Sequence, residues 1–104
     1  VVLPSFHETF GVALAEALSQ GRPVVCSRGE ALSGYFSADE GIVQADPQST
    51  QSIAGAVEGA LKVPASKLPK PAELSRIFGW KVIATRLAQI YNKAVVYSEG
   101  ARRP

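Results

Sequence analysis

The stretch that decides the fold is VVLPSFHETFGVALAEALSQGRPVV, at residues 1–25. Its first three residues are apolar and predict a short strand, which the following proline ends. The polar residues 5–9 predict a loop. The alanine- and leucine-rich segment 10–20 predicts a helix, with Leu14 and Leu18 one turn apart. The stretch therefore predicts a strand, a loop and a helix in that order.

Two residues predict where that helix stops. Gly21 suits the left-handed conformation that ends many helices, and Pro23 cannot continue one. The apolar residues 24–26 then predict a second strand, and residues 41–43 predict a third. Short apolar strands separated by helices are typical of a parallel sheet that helices cover. We therefore expect an α/β chain that forms part of a Rossmann-like parallel sheet with flanking helices, since a complete one has about five or six strands.

The segment 48–71 predicts one more helix and a linker. Residues 48–62 have helical periodicity, with an apolar face formed by Ile53, Val57, Ala60 and Leu61. Three prolines and two lysines in 64–71 predict an internal surface linker.

The chain is predicted to end in a short helix over 71–76 and a long C-terminal helix over 79–98. The long helix has a strongly amphipathic stripe at spacings of three and four. The stripe consists of Trp80, Ile83, Leu87, Ile90, Ala94 and Tyr97. We expect this stripe to be core or interface.

Composition excludes several classes. The 104 residues suffice for one small domain, and the net charge is only +2. Basic residues are spread along the chain except for Arg102 and Arg103, so we expect no nucleic-acid partner. No apolar run approaches the ~18 residues that span a bilayer.

Cys26 is the single cysteine and is expected to be an inert core residue. The chain has no methionine and opens on an apolar strand, so we expect a piece of a longer protein.

The loop 5–9 and the helix start near Gly11 have the clearest chemistry. In α/β sheets, ligands bind beyond the carboxyl ends of strands, and free N–H groups at a helix start favour phosphates. Gly11 has no side chain, so a ligand could approach the backbone closely. Glu8 and Glu16 flank this start, and their carboxylates suit sugar hydroxyls better than phosphates. A nucleotide-sugar matches this layout, because its diphosphate lies between a ribose and a second sugar.

Glu8 and Glu16 are separated by seven residues, with Phe10 and Gly11 between them. This spacing resembles the E-x7-E motif of group 1 (family 4-like) retaining glycosyltransferases, which have the GT-B fold of two Rossmann-like domains.

Other segments are also similar to that family. They are Pro4-Ser5, the run GRPVV at 21–25 and the helix start FGW at 78–80. The resemblance covers nearly the whole chain. It implies that residues 1–104 are a partial nucleotide-sugar-binding Rossmann-like domain, namely the C-terminal half of the C-terminal GT-B domain.

The resemblance implies roles for six residues. Glu8 matches the glutamate that contacts hydroxyls of the donor sugar, and it is our candidate catalytic residue. Glu16 matches the glutamate that holds the ribose hydroxyls. The N–H groups implied to face the sugar and phosphates belong to Thr9, Phe10, Gly11 and Val12. The implied partner is a UDP- or GDP-sugar, with no cofactor and no metal ion. The lone His7 has no second histidine to form a metal site with.

Two features differ from the family. Residues 28–34 read RGEALSG where the family often has a Gly-Gly pair and a Pro-Glu, so no contact is assigned to them. In the family, the basic residues that neutralise the diphosphate and the N-terminal acceptor domain lie upstream of the motif. The long last helix often crosses back onto that domain. We therefore expect this piece to be inactive alone.

Two alternatives to a glycosyltransferase of this kind stay open. One is another GT-B enzyme, such as a nucleotide-sugar epimerase or a glucan or sucrose synthase. The other is a non-catalytic nucleotide-sugar-binding module. We expect a cytoplasmic protein. Peripheral attachment at the inner membrane face stays open, because in the family it depends on the N-terminal domain.

Overall fold

The computed structural model describes residues 1–29 and 31–101. Three strands form one parallel sheet in the order β1-β2-β3. They are β1 (Val2–Leu3), β2 (Val24–Ser27) and β3 (Ile42–Ala45). Leu3 lies beside Cys26, which lies beside Gln44. The predicted parallel α/β sheet is confirmed, and Cys26 is buried within it.

A single helix, α1 (Val12–Ser19), follows the loop after β1. It begins two residues later than predicted, because Gly11 has a φ of 87°, outside the helical region. Gly21 ends the helix as predicted, with a φ of 68°. The Gly21 N–H donates to the Leu18 carbonyl at 2.9 Å, and the Arg22 N–H donates to the Ala17 carbonyl at 3.0 Å. These two bonds form a Schellman motif, which satisfies carbonyls at the end of the helix.

The helix α2 (Thr50–Leu61) packs against the sheet. The buried centre of this contact is formed by Val25, Ala45, Ala56 and Ala60, with Val43, Ile53 and Val57 around it. Leu61, which we predicted to lie on the apolar face, is 79% exposed. At 100° per residue it lies roughly 90° from the centre of the buried face, whereas the unpredicted Ala56 lies closer to that centre.

Short 3₁₀ turns occupy most of the remaining connections. They are Ala31–Gly34, Ala38–Glu40 and Ala65–Lys67.

The segment 64–71 is not exposed throughout, as a surface linker would be. Leu68 and Pro69 are buried. Gly41 has a φ of 90°, and a Cβ there would overlap the Leu68 side chain. Leu68 is therefore a core residue, because it fills the space that the missing side chain of Gly41 leaves.

The chain from Ala72 onward forms a second compact unit. The helix α3 (Pro71–Phe78) leads into it, and the long helix α4 (Trp80–Ala101) follows. None of the described residues of α4 is buried, and the stripe predicted to be core or interface is exposed. No helix in the described ranges combines the length and apolar content needed to cross a membrane. Arg102 and Arg103 lie outside the described residues.

Candidate functional site

The candidate residues lie at the carboxyl edge of the sheet, where the ends of all three parallel strands meet. The Ser27 hydroxyl, at the end of β2, donates to the carbonyl oxygen of Ser5. The Arg28 N–H donates to the Ala45 carbonyl at the end of β3, at 3.0 Å. These bonds hold the ends of neighbouring strands together at the point where the loop 4–11 begins.

The start of α1 presents N–H groups without protein acceptors. Gly11 precedes the helix, supplies no capping side chain, and is followed by a first turn without an acidic residue. The Gly11 carbonyl accepts bonds from Leu14 N–H at 3.0 Å and Ala15 N–H at 3.1 Å. Within residues 1–29 and 31–101, no group accepts a bond from the N–H of Val12 or Ala13. Such unsatisfied groups at the positive end of the helix dipole attract anions.

The reason for glycine at position 11 differs from the one the sequence suggested. Gly11 is buried, and a Cβ built on it would lie 3.4 Å from Leu14 Cδ1 and 3.8 Å from Glu8 Cγ. That direction therefore points at protein side chains, and the missing Cβ does not open a path for a ligand. Glycine is needed because its φ of 87° disfavours other residues.

Glu8 and Thr9 interact with each other. The Thr9 N–H donates to Glu8 Oε1 at 3.2 Å, and both residues are exposed. Glu8 and Thr9 were both predicted to contact the ligand, yet the Glu8 carboxylate already accepts the hydrogen bond of the Thr9 N–H. A bound sugar hydroxyl would have to share or replace this bond. Phe10, the next predicted contact, is half-buried.

Glu16 lies on the exposed side of α1, opposite the buried Leu14 and Leu18. It is four residues after Val12, so the two share one face of the helix, about 6 Å apart along the axis. The Val12 side chain is also exposed, at 61%. The structure thus places the Glu16 side chain on the same face as Val12 and one turn beyond the open N–H groups.

Neither carboxylate is used in an ion pair with a described lysine or arginine. The arrangement is an uncapped helix start with an acidic acceptor one turn along the helix and another in the loop before it. It can bind an anion and accept hydrogen bonds from hydroxyl groups nearby. Among the described residues, no three potential metal ligands cluster together.

Two other surface features do not form sites. Shallow open grooves lie along α4, one beside Lys81 and Arg86 and the other beside Lys93 and Tyr97. The side chains that line each groove come from this single helix, so neither groove encloses a ligand.

Sequence reasoning missed Ser27, because the second strand was predicted to end at residue 26. Ser27 is 3% exposed. A serine directly after an apolar strand was the signal that could have identified it, since a polar residue there must find a hydrogen-bond partner when it is buried.

The fold and the candidate site together define a class. A parallel sheet followed by a helix start at its carboxyl edge is the arrangement of nucleotide-binding α/β domains. Within that class, the family model described as glycosyl transferases group 1 matches residues 1–76. This chain belongs to the group 1 glycosyltransferases.

Curated relatives match nearly the whole chain. A glycogen synthase of Mycobacterium tuberculosis is 32% identical over a 107-residue alignment that covers 99% of this chain and 25% of the relative. A D-inositol 3-phosphate glycosyltransferase of Corynebacterium glutamicum is 30% identical over a 98-residue alignment that covers 91% of this chain and 23% of the relative. A GDP-mannose-dependent alpha-(1-6)-phosphatidylinositol dimannoside mannosyltransferase of M. tuberculosis is 37% identical over a 94-residue alignment that covers 88% of this chain and 24% of the relative. The chain spans about a quarter of the length of these relatives. No solved structure matches it with the same statistical significance.

Proposed function

We propose that the intact protein transfers a sugar from a nucleoside-diphosphate sugar to an acceptor with retention, and that this chain supplies the donor-binding segment. The observation that carries the proposal is the open helix start at Val12, with Glu8 in the loop before it and Glu16 one turn beyond it. Family membership supports the reaction class.

Each part of the donor has a proposed partner. The diphosphate lies at the helix start, where backbone N–H groups and the helix dipole favour negative charge. Glu16 accepts hydrogen bonds from the ribose hydroxyls. Glu8 accepts hydrogen bonds from hydroxyls of the transferred sugar, next to the reacting carbon. The N–H groups of Thr9, Phe10, Gly11 and Val12 line the path between these two carboxylates.

The chemistry follows from where charge develops. As the bond from the sugar to the diphosphate breaks, positive charge grows on the sugar ring and negative charge on the departing diphosphate. Preorganised N–H donors at the start of α1 stabilise that negative charge without reorganising during the reaction. Glu8 lies on the sugar side, where a carboxylate orients the ring.

The donor is proposed to be a UDP- or GDP-sugar. The GDP-mannose-dependent name of one relative supports a guanosine diphosphate donor. A glucan synthase reaction is the second candidate, and the similarity to a glycogen synthase favours it. Both reactions use the same donor segment, so variants of that segment do not separate them. A panel of nucleotide-sugars, tested as donors, does.

We also propose that the intact protein contains an N-terminal acceptor domain that covers apolar surfaces left exposed here. This chain corresponds to about a quarter of its relatives. On α4, Trp80 is 85% exposed and Tyr97 is 80% exposed, and on β1 Val2 is 45% exposed. Such surfaces usually mark contacts with other protein. Residues 1–104 alone are then inactive, because the acceptor site and the basic residues for the diphosphate are elsewhere. We place the intact protein in the cytoplasm.

The decisive experiment measures donor binding and sugar transfer by the intact protein with Glu16→Ala and Glu8→Ala. A lost charge-assisted hydrogen bond of ~1.5–3 kcal/mol corresponds to a decrease of roughly ten- to a hundredfold in donor affinity or rate. Glu58→Ala is the matched control, because Glu58 is also an exposed helix glutamate but lies about 12 Å beyond the start of α2.

The outcomes separate the candidates. Wild-type kinetics for Glu16→Ala would remove Glu16 from the donor site. Tight donor binding by the intact protein without any transfer would instead favour the non-catalytic binding module. Sugar transfer by purified residues 1–104 would refute the proposed need for a second domain.

A further inference from the structure

Ser27 is the one polar side chain that is buried among the described residues, with 3% exposure. Its hydroxyl donates to the carbonyl oxygen of Ser5, which is on a different chain segment 22 residues away. Ser5 lies two residues after β1, at the beginning of the loop that carries Glu8. The bond therefore joins the end of the middle strand to the start of the loop 4–11.

We infer that Ser27 is a positioning residue for the donor site. It acts through the loop 4–11 and does not touch the donor itself. This inference rests on the proposed function for its effect on donor binding, whereas its effect on the loop does not depend on that function.

The loop 4–11 is held in place at its two ends. At its far end the loop is continuous with α1, because the Gly11 carbonyl accepts the first helical hydrogen bonds. At its near end the Ser5 carbonyl is bonded to a side chain on β2, which is the middle strand of the sheet. Between these points residues 6–9 are all exposed, so few packing contacts restrain them. Removing the hydroxyl leaves a partly buried carbonyl without its partner, and the loop must then move to reach water.

Ser52 provides a matched control. Its hydroxyl accepts a hydrogen bond from the Asp46 N–H at 2.9 Å, and it is also partly buried. This bond holds the connection between β3 and α2, which carries none of the proposed donor contacts. Ser52→Ala therefore removes an equivalent bond between a serine and the backbone at a different loop of the same sheet edge.

The test compares Ser27→Ala, Ser27→Thr and Ser52→Ala in the intact protein, with thermal denaturation, donor and acceptor KM, and hydrogen exchange of residues 6–11. We expect Ser27→Ala to raise the donor KM by roughly tenfold, with the acceptor KM unchanged and exchange accelerated at 6–11. Ser27→Thr keeps the hydroxyl and restores the donor KM. Ser52→Ala lowers thermal stability by a similar amount and changes neither the donor KM nor the hydrogen exchange of residues 6–11. If Ser27→Ala fails to fold, Ser27→Cys, whose thiol is only a weak donor, replaces it as the variant expected to raise the donor KM.

The inference is overturned if Ser27→Ala changes the donor KM and loop exchange no more than Ser52→Ala does. It is also overturned if a folded Ser27→Thr protein behaves like Ser27→Ala. Wild-type protein that binds no nucleotide-sugar would refute the proposed function instead. In that case hydrogen exchange alone still decides whether Ser27 holds the loop.

Discussion

Replacing Gly11 with alanine tests the start of α1 and the proposed donor site together. Gly11 has a φ of 87°, in the left-handed region, where a residue with a Cβ costs ~1–2 kcal/mol. The added methyl group would make ordinary van der Waals contacts, 3.4 Å from Leu14 Cδ1 and 3.8 Å from Glu8 Cγ, so the cost comes from the backbone conformation. We therefore expect Gly11→Ala to lower the folding equilibrium constant by roughly 5- to 30-fold.

The effect on the donor has a different origin. If the backbone relaxes at Gly11 to relieve the strain, the Val12 N–H turns away from its present direction. Loss of one charge-assisted hydrogen bond weakens donor binding by about tenfold or more. Isothermal titration of the folded intact protein with its nucleotide-sugar measures this change, and thermal denaturation measures the change in stability.

Gly21→Ala is the control at the opposite end of the same helix. Gly21 also has a left-handed φ, of 68°, and its Cβ would meet no atom within 4 Å. We expect a comparable loss of stability and an unchanged donor affinity. A Gly11→Ala protein as stable as wild type would refute the backbone argument. Equal losses of donor affinity in both variants would show that the helix start has no special role in binding.

Two further predictions concern α2 and are measured by denaturant unfolding. Gly55→Ala should stabilise the protein by up to ~1 kcal/mol, because Gly55 is in an exposed helix interior with no atom within 4 Å of the new Cβ. A decrease in stability would contradict this account. Ser49→Ala should destabilise the protein by ~1 kcal/mol, because the Ser49 hydroxyl accepts the Ser52 N–H at 3.1 Å and caps the helix. Unchanged stability would show that this cap contributes nothing.

Local chemistry explains which features could be predicted. Gly21 followed by Pro23 was sufficient to predict the end of α1, since each acts on the backbone of its own neighbourhood. The three strands were predicted for a similar reason, because apolar runs of this length between helices favour a parallel sheet. The spacing of Glu8 and Glu16 was likewise visible in the sequence, and with it the family that the comparisons then supported.

Errors arose where a distant segment determines the environment of a residue. Leu68 looked like part of an exposed proline-rich linker, yet it is buried beside Gly41, where the absence of a Cβ leaves room for the leucine side chain. Leu61 matched the helical periodicity but lies beyond the edge of the face that contacts the sheet, so it is 79% exposed. The neighbouring residues in the sequence predict neither outcome, because the burial of each side chain depends on which other segment packs against it.

The sequence by itself determined the order of strands and helices along the chain, the end of α1 at Gly21 and the presence of two glutamates around a helix start. These depend on backbone preferences and side-chain periodicity, which act over a few residues. Only the tertiary structure decided that the face of α1 with Val12 and Glu16 is exposed, and that the Ser27 hydroxyl bonds the Ser5 carbonyl at the start of the loop 4–11. The Ser27 bond depends on the pairing of parallel strands that are more than 20 residues apart in the chain. Sequence patterns do not show such relations, because burial and long-range hydrogen bonding depend on every segment that packs nearby.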